Sequence, residues 1–193
     1  MSTTSRPIGT ISYNTPNFLM KTIYNLRDNG YIDDYRIAFH YAEEENKKEH
    51  FHVLLYPSRR LDPSQVQRMF LEPDPNNPDN PLGCRPFRYS EPLNWLMYVL
   101  HDPEYLRTHQ KDGSGDGKIE YDISEIVAGC REYLEQDYHR AYAVRTSPNQ
   151  RALQLALAGY SFTEIMVEVP TVNPSALRAI LQGVFQSGAP GRS

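Results

Sequence analysis

The chain has 193 residues, 39% apolar side chains and a net charge of −4, enough length and apolar content to bury a core and too much for a disordered segment. No run approaches the roughly 18 apolar residues of a membrane helix, and "MSTTSRPIG" lacks the apolar centre of a secretory signal, so a soluble cytoplasmic protein with no membrane partner is expected. The two cysteines, Cys84 and Cys130, indicate neither a disulfide framework nor a thiolate zinc site, and the mild acidity weighs against a broad basic nucleic-acid surface without excluding a local one.

In chain order, "IGTISYN" predicts a strand, and "PNFLMKTIYNLRDNG" a helix that opens at Thr15-Pro16 and stops at Gly30. "DYRIAFHYA" and "EHFHVLLYP" predict two more strands, and "PSQVQRMFLE" a helix behind Asp62-Pro63. Residues 72 to 86, with Pro73, Pro75, Pro78, Pro81 and Pro86, read as a long loop. "CRPFRYS" is the last strand expected, and "PLNWLMYVLHDPEYLRTH" is helical at least to Leu100. The order βαββαβ predicts an α+β fold, a ferredoxin-like antiparallel sheet with helices on one face.

"KDGSGDGK" reads as a linker; its spacing is wrong for a phosphate loop, and Ile119 stands where a magnesium-binding hydroxyl is needed, which argues against a nucleoside-triphosphate site. The expected division is 1–122 and 123–193, the second part a small all-helical domain. There "NQRALQLALAGYSFTEIMVEVPTVNPSALRAILQGVF" reads as three helices, with a capping box from Ser161 to Glu164 and Pro174 opening the last. A helix-turn-helix in which Ser175, Arg178 and Gln182 meet base edges is one reading of it.

The chemistry gathers on two strands. His50 and His52 stand two residues apart and therefore share a sheet face, with Leu54 and Tyr56. A turn near Asn46 brings His40 close to opposite His52, where cross-strand Cβ atoms approach to about 5 Å. Glu43, Glu44 and Glu45 leave the second strand at the same end. Three imidazoles and a carboxylate suit a divalent transition ion such as manganese or zinc, and the carboxylate extends the choice to magnesium. Solvated glutamates and locally hydrogen-bonded histidines are the plain alternative. On the following helix Leu93, Leu96, Met97 and Leu100 form one stripe, and Tyr98 lies off it, its phenol available as a nucleophile towards a phosphodiester. With fourteen tyrosines in the chain, periodicity alone does not select this one. Arg59, Arg60, Arg68, Arg85 and Arg88 are candidate phosphate contacts.

Taken in order, "AFHYAEEE", "HFHVLLYP", "NWLMYVLH" and "GKIEYDISEI" resemble the RepB-like initiators of rolling-circle plasmids, members of the HUH endonuclease superfamily. The resemblance covers the first two-thirds of the chain and implies a metal site at His40, Glu43, His50 and His52, loaded with Mn2+ or Mg2+. It also implies a catalytic Tyr98 heading a Tyr-x-x-His motif that ends at His101, which would contact the tyrosine or DNA. Glu43 departs from the aspartate more usual in that family and leaves Glu44 or Glu45 as substitutes. The implied activity is nicking and joining of one strand at a plasmid origin, in double-stranded, hairpin or single-stranded form. It leaves a 5′-phosphotyrosine on the protein and a 3′-OH primer for host replication proteins. The family comparison and the sparse positive charge favour homo-oligomerisation, as a ring, for the helical domain. The alternatives are a mobilisation relaxase or viral replication protein of the same superfamily, and a non-enzymatic DNA-binding regulator with a structural metal.

Overall fold

The computed structural model describes residues 3–42, 48–109, 119–145 and 148–186. Proline-led helix starts organise it. Asp62 accepts the Ser64 N–H (2.9 Å) ahead of α2 (Pro63–Met69), and Asn173 accepts the Ser175 N–H (2.9 Å) ahead of α8 (Pro174–Gln186), so both act as the caps their residue types suggest. Thr15, ahead of α1 (Pro16–Asp28), makes no such cap and instead bonds the Glu72 carboxylate through its N–H and hydroxyl. Ser147 lies outside the described residues.

The strands β1 (Ile8–Ser12), β2 (Ile32–His40), β3 (His50–Pro57), β4 (Arg88–Tyr89) and β5 (Val127–Ala128) form one open antiparallel sheet in the order β4-β1-β3-β2-β5. Its first four strands, with α1 and α2, run βαββαβ as expected. The fifth strand corrects the expectation that β4 is last. It is two residues long and carries no alternating pattern, and it exists because the β2 edge supplies partners at Arg36 and Ile37.

Helices cover both faces, not one. Leu19, Ile23 and Leu26 of α1, at helical spacing, and Val66 of α2 pack with Tyr35, Ile37, Val53 and Leu55 on one face. On the other, Trp95, Leu96 and Val99 of α3 (Pro92–Val99) and Leu134 of α5 (Arg131–Arg145) pack with Ala38 and Leu54. Successive residues Val53, Leu54 and Leu55 point to opposite sides and are all fully buried, which only a two-sided cover explains.

Two compact units divide the chain, residues 1–141 and 142–193. Residues 123–141, grouped by sequence with the helical domain, belong to the first: Ile126 and Leu134 lie in the core with Trp95. The second unit is helical among the described residues. Ala152 and Ala156 of α6 (Pro148–Leu157), Ile165 of α7 (Phe162–Glu168) and Leu177 of α8 meet in its core, and the Ser161–Glu164 capping box is formed. No helix among the described residues is long and apolar enough to cross a membrane.

Candidate active site

The site is built on the two central strands. The register pairs His40 with His50 and Ala38 with His52, so His40 stands directly across from His50 and not, as the sequence suggested, from His52. Its ring nevertheless leans along the strand to His52, at 4.4 Å between centroids against 5.5 Å to His50. The three imidazoles present ligand nitrogens that lie within 4.8 Å of one another.

Hydrogen bonds fix two of the rings. The Nε2 of His40 lies 2.8 Å from the Val99 carbonyl, and the Nδ1 of His50 lies 2.9 Å from the Lys48 carbonyl. A carbonyl only accepts, so those nitrogens carry the protons, and the lone pairs stand on His40 Nδ1 and His50 Nε2. The second of these faces His52 Nε2 at 3.1 Å. Burial first, then the fields of His40, His50, His101 and Arg85, hold His52 well below the usual imidazole range. Backbone carbonyls thus orient the rings of His40 and His50, the outer arrangement that metal-binding histidines use, and His52 beside them is biased to the neutral form that ligates. Nitrogens sharing one tetrahedral ion at the usual bond length stand about 3.3 Å apart, close to the His50–His52 separation. The three histidines can hold a metal ion. Glu43, Glu44 and Glu45 lie outside the described residues.

The end of α3 organises the surroundings. An α-helix leaves its last four carbonyls without intrahelical partners, and here each of them is taken. Met97 accepts from Asp102 N–H (3.1 Å), Tyr98 from His101 N–H (3.1 Å), Val99 from the His40 ring, and Leu100 from Tyr121 N–H (3.1 Å). The first two bonds are a Schellman cap. The same pair of bonds closes α1 at Gly30 and α6 at Gly159, both with positive φ as glycine allows. At α3 the left-handed position is held by His101 (φ 52°), the single non-glycine residue with positive φ among the described residues. Backbone strain of this kind costs about 1 kcal/mol or more. It turns the His101 ring inward, 5% exposed, with Nδ1 donating to the Ile119 carbonyl (2.8 Å) and the ring 4.5 Å from that of His40. Pro103 then starts α4 (Pro103–His109), so the segment expected to be helical at least to Leu100 is two helices, the first capped at Leu100.

Trp95, Leu96, Met97, Val99 and Leu100 are buried and Tyr98 is 37% exposed, the one open side chain in that run. Val99 and Trp95 thus join the packed face in place of Leu93, which is only half-buried. The Tyr98 ring meets His52 edge-on at 5.4 Å between centroids.

Compared with models of known protein families and with curated proteins, the chain matches none.

Two recesses flank Tyr98. One, of about 570 Å³, is lined by Gly9, His52, Arg85, Arg88, Tyr89 and Asn94 among others, and the second by Tyr13, Lys48, His50, Asp74 and Asn77; Ile11, Arg85 and Tyr98 border both. Of the candidate phosphate contacts, therefore, Arg85 and Arg88 stand beside the tyrosine. Arg59 lies over the Tyr31 ring (3.9 Å), Arg60 bonds Thr3 through Nε (3.1 Å) at the far end of β3, and Arg68 is exposed on α2, which packs on the opposite face. Tyr121, buried against His40 and His101, carries no mark in the sequence because a tyrosine outside the helices and strands has no periodicity to single it out.

Proposed function

We propose that the chain is a metal-assisted DNA nicking and joining enzyme of the HUH type, acting at a plasmid replication origin with Mn2+ or Mg2+. The observation that carries this reading is the placement of Tyr98, a single exposed phenol on an otherwise buried helical run, with its ring at His52 of a three-imidazole cluster. The strand order of β1 to β4 agrees with a ferredoxin-like core of that type.

His40, His50 and His52, with an acidic residue such as Glu43, would hold the ion. When bound, it supplies a Lewis acid that offsets charge building on the phosphoryl oxygens. Arg85 and Arg88 hold flanking phosphates and orient the strand along the recess, a positioning role that carries no sequence information. The Tyr98 oxygen attacks phosphorus, the P–O3′ bond breaks, and the 3′ oxygen leaves and takes up a proton as the phenol gives one up. The product is a 5′-phosphotyrosine and a 3′-OH, which primes synthesis by host replication proteins. Because the phosphotyrosine keeps the energy of the broken diester, a 3′-OH attacking it restores the strand without ATP. Copies of the chain would associate through the helical unit, where Leu153, Leu157, Val167 and Phe185 are exposed and positive charge is sparse.

The test is covalent capture. Full-length protein incubated with Mn2+ and a single-stranded origin oligonucleotide should give a denaturant-stable adduct that keeps label 3′ of the nick and loses label 5′ of it. Tyr98→Phe removes one hydroxyl from a partly exposed ring, so it should bind the oligonucleotide and form no adduct. Undiminished cleavage in Tyr98→Phe refutes the nucleophile, and binding without cleavage by wild type favours the non-enzymatic regulator.

A further inference from the structure

His40 is 3% exposed and sits against Tyr121 in a parallel stack, with centroids 4.6 Å apart and planes within 8°. Tyr121 is itself pinned at three points. Its N–H donates to the Leu100 carbonyl (3.1 Å), its hydroxyl accepts the Tyr41 N–H (3.2 Å), and the His101 ring meets it at 5.2 Å and 66°. The hydrogen bond from His40 to Val99 holds one ring nitrogen. A flat neighbour holds the plane of the ring, because the torsion of an imidazole about its Cβ–Cγ bond is broad and has no strong minimum of its own.

We infer that Tyr121 is a positioning residue for the metal centre: stacked against His40, it fixes the plane of that imidazole so that Nδ1 is aimed before an ion arrives. Preorganisation of this kind raises affinity by removing an ordering cost at binding. The inference rests on the metal-centre part of the proposed function and is independent of the role of Tyr98. A role in packing alone would be met by any apolar side chain of similar bulk, whereas the positioning role needs a flat ring.

Titrating the full-length chain with Co2+ and following visible absorption separates the two roles. Tyr121→Phe keeps the ring and loses the hydroxyl bond, and should bind Co2+ within about threefold of wild type. Tyr121→Leu fills space without a plane and should bind about 10 to 100-fold more weakly, the usual cost of losing an outer partner of a ligand. A second measurement needs no variant. In the metal-free wild type, ring 15N and 1H spectra should show His40 as a single Nε2–H tautomer with ring protons shifted upfield by Tyr121. Wild-type affinity in a folded Tyr121→Leu protein overturns the inference, and so do averaged tautomers or unshifted His40 protons in the wild type. If wild type takes up no Co2+, the metal-centre reading fails and this inference with it. If wild type binds and Tyr121→Leu binds equally, only this inference fails.

Discussion

Asp137→Ala should destabilise the first unit more than Arg36→Leu does, although both break the same contact. The Arg36 side chain is 1% exposed, and its Nη1 approaches Asp137 Oδ2 to 2.7 Å, off the N–H axis, so that the contact is an ion pair more than a hydrogen bond. Its Nε has no hydrogen-bond partner, and the Tyr56 ring lies 4.8 Å from the guanidinium. Removing Asp137 strands a cation that cannot deprotonate, for which a cost of about 3–5 kcal/mol is usual. The Tyr56 face returns about 1 kcal/mol of that, which places the expectation near 3 kcal/mol. Arg36→Leu leaves behind a carboxylate whose side chain is 17% exposed and reaches water, so about 1–2 kcal/mol is expected. The double variant Arg36→Leu/Asp137→Leu buries no charge and should fall within about 1 kcal/mol of wild type. Trp95 is the chain's single tryptophan and packs in the same core, so its fluorescence during urea unfolding reports on this unit. A cost below about 1 kcal/mol for Asp137→Ala, or a larger cost for Arg36→Leu, would refute the reasoning.

The depressed titration of His52 makes the metal-free protein acid-sensitive. As pH falls below the ordinary imidazole value of about 6.5, the unfolded chain binds a proton that folded His52 refuses, so stability declines until the lower folded value is passed and then levels off. Urea midpoints measured between pH 7.5 and 5 should show this decline in wild type and a shallower one in His52→Gln; equal slopes would remove His52 as the cause. Burial pushes the Cys84 thiol up to about 11. At pH 8 its alkylation by iodoacetamide should run about tenfold slower than in the urea-unfolded chain, scarcity of thiolate being partly offset by greater nucleophilicity. Equal rates in the folded and unfolded chain would show the site to be open.

The elements with strong local chemistry were legible. Asp62-Pro63, Asn173-Pro174 and Gly30 mark helix ends through side-chain acceptors, a missing N–H and a permitted positive φ, and all three act so in the fold. The shared face of His50 and His52 follows from strand alternation, and His40 joins them as its strand position suggested, though across from His50 and not His52. Register was less legible, because the stretch "EEENK" between the two strands carries no two-residue hairpin signal. The strand β5 and the assignment of Ile126 and Leu134 to the first unit depend on long-range packing that no window of sequence contains. Nor does any pattern announce a histidine at a left-handed helix end, although Pro103 two residues later marks the stop itself.

The four carbonyls at the end of α3 draw together His40, His101, Asp102 and Tyr121, yet the residues that own them are Met97, Tyr98, Val99 and Leu100. Three of the four have apolar side chains and face the core, so their selection as residue types answers to packing alone. The scaffold of the site is therefore written in peptide oxygens, atoms that every residue possesses. Substitution at 97, 99 or 100 alters shape and volume without deleting an anchor, so mutational scanning of side chains passes over these positions as ordinary core. Only a change to the backbone itself, an ester in place of an amide or a proline where Asp102 or Tyr121 donates, would expose their second duty.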